Sequence, residues 1–247
     1  MKKLFLIAVS LFLLGGKLIS QNQKIDLYLI PGMGTDHRIY KDLDFGLEVN
    51  KKLIYWPENA TELKGLKELA LAVSTQIDTT RKFVILGNSM GGMISMELSK
   101  LVSPEAIILV SSINSSSELP TRYKLGRMIP LHKLLTEKRL VRKANNPRTF
   151  RKVNDPELRN LYPLMLKTCG SEFLKWQMNS IVHWKFKQEL INCEVYHIHG
   201  KKDRVLPLRK TTANQVLESG THKLVANFRT EIVNSTLDFL KTKKLIN

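Results

Sequence analysis

Residues 83–92, Phe-Val-Ile-Leu-Gly-Asn-Ser-Met-Gly-Gly, set an apolar run directly before a Gly-x-Ser-x-Gly turn. A strand that bends sharply into a helix crowds the residue at the bend, so the positions flanking it must be small. Gly87 and Gly91 meet that demand and leave Ser89 at the apex. Met93, Met96, Leu98 and Leu101 then recur at helical spacing, which predicts a helix over Met90 to Leu101. Its N-terminus falls just behind the serine, where the aligned peptide dipoles favour developing negative charge. The stretch nominates Ser89 as a nucleophile.

A serine hydroxyl is too weak to attack an acyl carbon unless a base takes its proton and an acid orients that base. Both partners follow in the sequence. Glu194 to His199 alternates like a strand and runs into Gly200-Lys201-Lys202-Asp203-Arg204-Val205-Leu206-Pro207. A second short run, Gln215 to Glu218, ends at Gly220-Thr221-His222. The chain order is therefore Ser89, Asp203, His222. Upstream, residues 27–36 form a strand that ends in the glycine-rich loop Pro31-Gly32-Met33-Gly34.

Together these segments resemble the α/β-hydrolase superfamily, whose late segment commonly reads His-Gly-x-x-Asp-x-x-x-Pro, as His199 to Pro207 does. The resemblance runs from the strand at Ile25 to the last helix. It implies that Ser89 attacks an acyl carbon, His222 carries its proton to the leaving group, and Asp203 holds the imidazole. Many relatives have His-Gly at the oxyanion loop; Pro31-Gly32 is similar to a smaller group with Pro-Gly-x-Gly. Backbone donors need no particular side chain, so the Met33 and Met90 N–H groups are the expected oxyanion donors. A serine at position 89 sets aside the dehalogenase branch, whose nucleophile is a carboxylate.

Apolar runs predict strands at Ile25 to Ile30, Lys52 to Trp56, Phe83 to Leu86, Ala106 to Ser111, Val195 to His199 and Gln215 to Leu217. Amphipathic helices alternate with them, at Glu62 to Ile77 behind a cap at Asn59 and at Thr230 to Leu240. This rhythm predicts an α/β fold, a mostly parallel sheet with helices on both faces. Residues 114–192 break it with helical patterns, prolines at 120, 130, 147, 156 and 163, and no strand. They stand where hydrolases of the resembling kind place a helical lid over the serine. Leu161 and Trp176 in that lid, with Gly32 below, are candidates to line the substrate pocket, although an apolar stripe at helical spacing more often packs the lid itself. His197 and His199 alternate along a strand and are expected to be packed and hydrogen-bonded, while His37 stands on a loop either as a substrate contact or simply exposed.

The first residues differ in kind. Lys2 and Lys3 precede the apolar stretch Leu4 to Leu14, then Gly15-Gly16 and a polar exit at Ser20-Gln21. That pattern predicts a secretory leader at 1–20 and a hydrolase domain at 21–247. The apolar stretch is shorter than the roughly 20 residues a spanning helix needs. Cleavage and export to the periplasm or beyond are expected, with membrane anchoring by an uncleaved segment as the alternative. Cys169 and Cys193 admit one disulfide, though two cysteines fix no geometry.

The formal charge is +17, and residues 114–192 hold sixteen Lys and Arg against six Asp and Glu. No aromatic stacking motif or recognition helix accompanies the basic residues, so nucleic acid is not an expected partner. The basic residues are read as a solvated helical face, with weak attraction to anionic membrane surfaces or acidic ligands as the alternative. His197-x-His199 lacks a third ligand, so no metal is expected, and acyl transfer through serine needs no cofactor. The expected partner is a small-molecule acyl substrate, by default a carboxylic ester. Thioesters, lactones, amides and acyl transfer to an alcohol use the same machinery, and a non-catalytic ligand-binding protein on the same fold is the rival reading.

Overall fold

The computed structural model describes residues 24–129, 134–188 and 191–247. The leader expected at 1–20 lies outside them. Among the described residues no helix is long and apolar enough to cross a membrane. Six strands, β1 (Ile25–Ile30), β2 (Val49–Leu53), β3 (Phe83–Asn88), β4 (Ala106–Val110), β5 (Glu194–Gly200) and β6 (Gln215–Leu217), form one sheet in the order β2-β1-β3-β4-β5-β6. Every neighbouring pair is parallel. The helices are α1 (Leu66–Ser74), α2 (Met90–Leu98), α3 (Thr121–Leu125), α4 (Glu137–Asn145), α5 (Pro156–His183), α6 (Leu224–Asn227) and α7 (Arg229–Thr242).

The central strands β1, β3 and β4 are buried throughout, as a parallel sheet covered on both faces requires. Their side chains part into two layers by the two-residue alternation of a strand. Tyr28, Ile30, Ile85, Ile107 and Leu109 pack with Leu69 and Val73 of α1 and Met93 and Met96 of α2. Leu27, Leu29, Val84, Leu86, Ile108 and Val110 pack with Leu224 of α6 and Ile232, Phe239 and Leu240 of α7.

Three elements, β2, α1 and α2, depart most from the sequence expectation. Strand β2 lies at Val49–Leu53 rather than Lys52 to Trp56, in register from Ile25↔Val49 to Leu29↔Leu53. The apolar Ile54-Tyr55-Trp56 is diverted after Ile54 N–H bonds to Leu29 O, because the Gln76 amide takes up both backbone groups of Tyr55, each at 2.9 Å. Helix α1 starts at Leu66 rather than Glu62: Ala60–Glu62 forms a 3-10 turn, Asn59 makes no side-chain cap, and Gly65 stands at φ 151. Helix α2 stops at Leu98, and the chain passes through turn hydrogen bonds to Leu101.

Between β4 and β5 the described residues of 114–192 are helical or irregular, with no strand. Thr136 caps α4 by accepting from Arg139 N–H, and Asp155 caps α5 by accepting from Leu158 N–H at 2.7 Å, with Pro156 in the first turn. Helix α5 bends at Gly170, whose φ is 69. The segment builds a small core on Leu140, Phe150, Leu158, Leu166 and Leu174 that also takes in Ala226 of α6. Cys169 and Cys193 are both free thiols.

Candidate active site

Ser89 stands at the bend between β3 and α2 with φ 54 and ψ −116, a left-handed conformation that costs a non-glycine residue energy. Four hydrogen bonds hold its backbone there. Its N–H donates to Val110 O at 2.9 Å, and its C=O accepts from Ser112 Oγ at 2.7 Å and from the Gly92 and Met93 N–H groups. The small residue demanded at 91 has a direct cause. A Cβ on Gly91 would lie 2.1 Å from Ile30 O and 2.5 Å from Pro31 O, so only glycine lets the elbow seat against the end of β1.

The Ser89 side chain does not cap its helix. It points instead to His222, with Oγ 2.9 Å from Nε2. His222 Nδ1 lies 2.7 Å from Asp203 Oδ2, while Asp203 Oδ1 accepts the Val205 and Leu206 N–H groups at 2.8 and 2.9 Å. Asp203 follows β5 and His222 follows β6. Their loops are joined by Lys202 N–H donating to Gly220 O at 2.8 Å.

Burial would raise the Asp203 carboxyl, but hydrogen bonds from His222 and Leu206, with the fields of His222 and His199, hold it below the usual carboxylate value. It is ionised near neutrality and can only accept. The imidazole proton therefore sits on His222 Nδ1, which leaves Nε2 free to accept from Ser89 Oγ–H. This is the tautomer a general base requires.

Behind Asp203 lie His197 and His199, both buried as expected. His197 Nδ1 reaches Thr212 O at 2.7 Å, His197 Nε2 meets His199 Nδ1 at 2.9 Å, and His199 Nε2 reaches Leu206 O at 2.8 Å. Desolvation, with repulsion from His199, pushes His197 down to about 3, and desolvation also lowers His199. Both rings are thus neutral near pH 7 and carry one N–H each, which the Thr212 and Leu206 carbonyls accept, so no proton is left for the contact between the two rings. His199 Nε2 also stands 3.5 Å from Asp203 Oδ2.

The loop after β1 is a tight turn. Thr35 N–H and Oγ1–H both donate to Gly32 O, and Gly34 at the third position has φ 71, which that turn reserves for glycine. Gln177 of α5 fixes the loop from above by accepting Gly34 N–H at 3.0 Å, and Trp56 Nε1–H donates to Thr35 O at 2.8 Å. Among the described residues the Met33 and Met90 N–H groups donate to no protein acceptor. A Cβ on Gly32 would come within 3.3 Å of Ser89 Cβ, so this loop lies against the elbow.

A cavity of about 210 Å³ opens onto Ser89 and His222. Gly32, Met33, Gly34 and Asn88 form its floor, and the segment between β4 and β5 contributes Lys143, Phe150, Tyr162, Leu166, Leu174 and Met178. Lys223 closes one side. Met33 and Met178 also border a second, mostly apolar cavity of about 450 Å³ that continues along Tyr123, Leu125, Ile129, Ile181 and Val182, with Arg122, bonded to the Arg204 and Val205 carbonyls, as its one charged side chain.

No family model and no curated protein sequence matches the chain. Solved structures do. A carboxylesterase from Nitrososphaera gargenis superposes with a TM-score of 0.67 at 17% identity, over 90% of this chain and 92% of that one. A lipase-esterase related protein from Clostridium acetobutylicum gives 0.66 at 15% identity, over 89% and 96%. A thermophilic esterase from Thermogutta terrifontis gives 0.65 at 15%, over 89% and 90%. The chain has the α/β-hydrolase fold.

Within this α/β-hydrolase fold the three side chains nominated from sequence, Ser89, His222 and Asp203, stand in one hydrogen-bonded line. Gly32 lines the same cavity as Ser89. Leu161 and Trp176 do not reach the cavity: Leu161 packs between two apolar clusters, and the Trp176 indole donates to Leu63 O at 2.7 Å and stacks on Phe173. An indole N–H buried beside an acceptor is anchored by it, which turns the ring away from the serine. His37 lies against Tyr55, with ring centroids 4.4 Å apart, and borders a separate cavity.

Sequence reasoning missed Gln177 and Lys223. Gln177 is a fully buried polar residue on the stripe Leu174, Gln177, Ile181, and that interruption of an apolar face was its signal. Lys223 had only its place next to His222.

Proposed function

We propose that the protein is an exported serine hydrolase that cleaves a carboxylic ester through an acyl-enzyme on Ser89. The observation that carries this reading is the Ser89 Oγ to His222 Nε2 to Asp203 line at 2.9 and 2.7 Å, opening into a cavity lined by Met33, whose N–H, like that of Met90, donates to no protein acceptor among the described residues. Export rests on the charged and apolar pattern of residues 2–20.

In this mechanism Ser89 Oγ attacks the ester carbonyl carbon while its proton passes to His222 Nε2. The carbonyl oxygen takes the electron pair and becomes an oxyanion, stabilised by the N–H groups of Met33 and Met90. Asp203 stabilises the imidazolium that forms. As the tetrahedral intermediate collapses, the bond to the alcohol oxygen breaks and His222 returns its proton to that oxygen. A water then gives a proton to His222 Nε2 and attacks the acyl carbon. The second collapse releases the carboxylic acid and restores Ser89 with the proton from His222.

The reading is supported further by the position of all three groups at the C-terminal ends of parallel strands or just beyond them, where such sheets present ligand sites. The apolar cavity across Met33 and Met178 gives room for an apolar substituent of the ester. Turnover of p-nitrophenyl butyrate by the wild type and its loss in Ser89→Ala test the proposal. Equal turnover by the two proteins would overturn it.

A further inference from the structure

The cavity over Ser89 is charged in one sense only. Its lining contains Lys143 and Lys223 and no aspartate or glutamate. Asp203, the nearest acid of the site, is buried behind His222 and does not reach the cavity surface. Among the described residues neither lysine is in a salt bridge, although many other surface lysines and arginines are.

Lys223 is held in place without a countercharge. Its ammonium lies 5.4 Å from the Phe150 ring centroid and 5.5 Å from that of Tyr162, two rings stacked at 5.6 Å. Contact with aromatic faces compensates a cation only in part. Desolvation, followed by repulsion from nearby Lys152, lowers its pKa. An unpaired, half-buried ammonium beside a nucleophile is costly to the fold, and a ligand anion would relieve that cost.

Resting on the ester-hydrolase reading of the same site, we propose that the preferred substrate is an acyl ester bearing an anionic group, a carboxylate or a phosphate, that pairs with Lys223 and Lys143. The cavity volume of about 210 Å³ limits the anionic arm to a few atoms beyond the carbonyl. The apolar remainder of the ester lies in the larger cavity across Met33 and Met178.

The test compares p-nitrophenyl butyrate with the mono-p-nitrophenyl ester of succinic acid, in which a carboxylate replaces the terminal methyl. The p-nitrophenyl ester of 3-phosphonopropionic acid is the second anionic arm and separates carboxylate from phosphate recognition. At low ionic strength the wild type is expected to favour at least one anionic ester by about tenfold or more in kcat/KM. Lys223→Met should reduce that ratio about tenfold, Lys143→Met about threefold, and Lys223→Arg should keep most of it. Lys241→Met, an exposed change on α7, should retain the wild-type ratio, which separates the site from the general positive charge of the protein.

A wild-type ratio of one or less, with butyrate turnover that Ser89→Ala abolishes, would overturn the anionic preference and leave the hydrolase reading standing. A tenfold ratio that survives in folded Lys223→Met and Lys143→Met would overturn the assignment of the lysines. Absence of turnover with all three esters, with Ser89 inert to a fluorophosphonate, would overturn the hydrolase reading itself and this inference with it.

Discussion

Gln177 Oε1 accepts the Gly34 N–H at 3.0 Å, so the long helix inserted between β4 and β5 grips the loop that carries Met33. The bond is fully buried and spans 143 residues of sequence. It couples the segment above the serine to the backbone expected to receive the oxyanion.

Gln177→Met should therefore impair catalysis more than binding. It leaves Gly34 N–H buried without an acceptor, at a cost of about 1–3 kcal/mol that the loop escapes by moving. A fall of about tenfold in kcat on p-nitrophenyl butyrate with little change in KM is expected, and Gln177→Glu, which keeps an acceptor oxygen, should recover part of it. An unchanged kcat in a folded Gln177→Met would remove the loop-positioning role.

Asp203→Asn replaces a pure acceptor by a group that can donate. The amide N–H introduced opposite His222 Nδ1 would drive the imidazole proton to Nε2, the wrong tautomer for taking a proton from Ser89. The expected loss in kcat is about a thousandfold or more, with the far-ultraviolet circular dichroism unchanged. Retained activity would assign the acid to another carboxylate.

Acid should destabilise the protein before its carboxylates titrate. His197 is neutral in the fold, with a pKa pushed down to about 3, whereas the unfolded chain restores it to the usual value near 6.5. Below that value the unfolded state binds a proton the native state refuses, so stability falls with pH by about 1.4 kcal/mol per unit until the native pKa is reached. Asp203, lowered in the fold, adds its loss only at the acid end of this window. Thermal melts from about pH 7 to about pH 4 should show a steady fall in Tm that is shallower in His197→Leu. Identical slopes in the two proteins would contradict the neutral buried pair.

The sequence made the sheet and the serine elbow readable because both rest on local patterning. Continuous apolar runs such as Phe83 to Leu86 can only be buried strands here, and Gly91 is dictated by a 2.1 Å approach that no side chain survives. What was not readable depended on partners distant in the chain. Tyr55 and Trp56 look like strand residues, yet Gln76 takes up the Tyr55 backbone and Thr35 the Trp56 indole. Trp176 looks like a pocket residue, yet its N–H is drawn to Leu63 O. Gln177 and Lys223 gain their significance only when α5 and the loop after β6 are laid over the elbow.

The most direct measurement is covalent labelling of the wild type with a fluorophosphonate, followed by peptide mapping. Phosphonylation requires an activated serine, not merely an exposed one. A single adduct on Ser89 is expected, absent in Ser89→Ala and strongly slowed in His222→Ala. No adduct on a folded wild type, or an adduct on a serine other than Ser89, would contradict it.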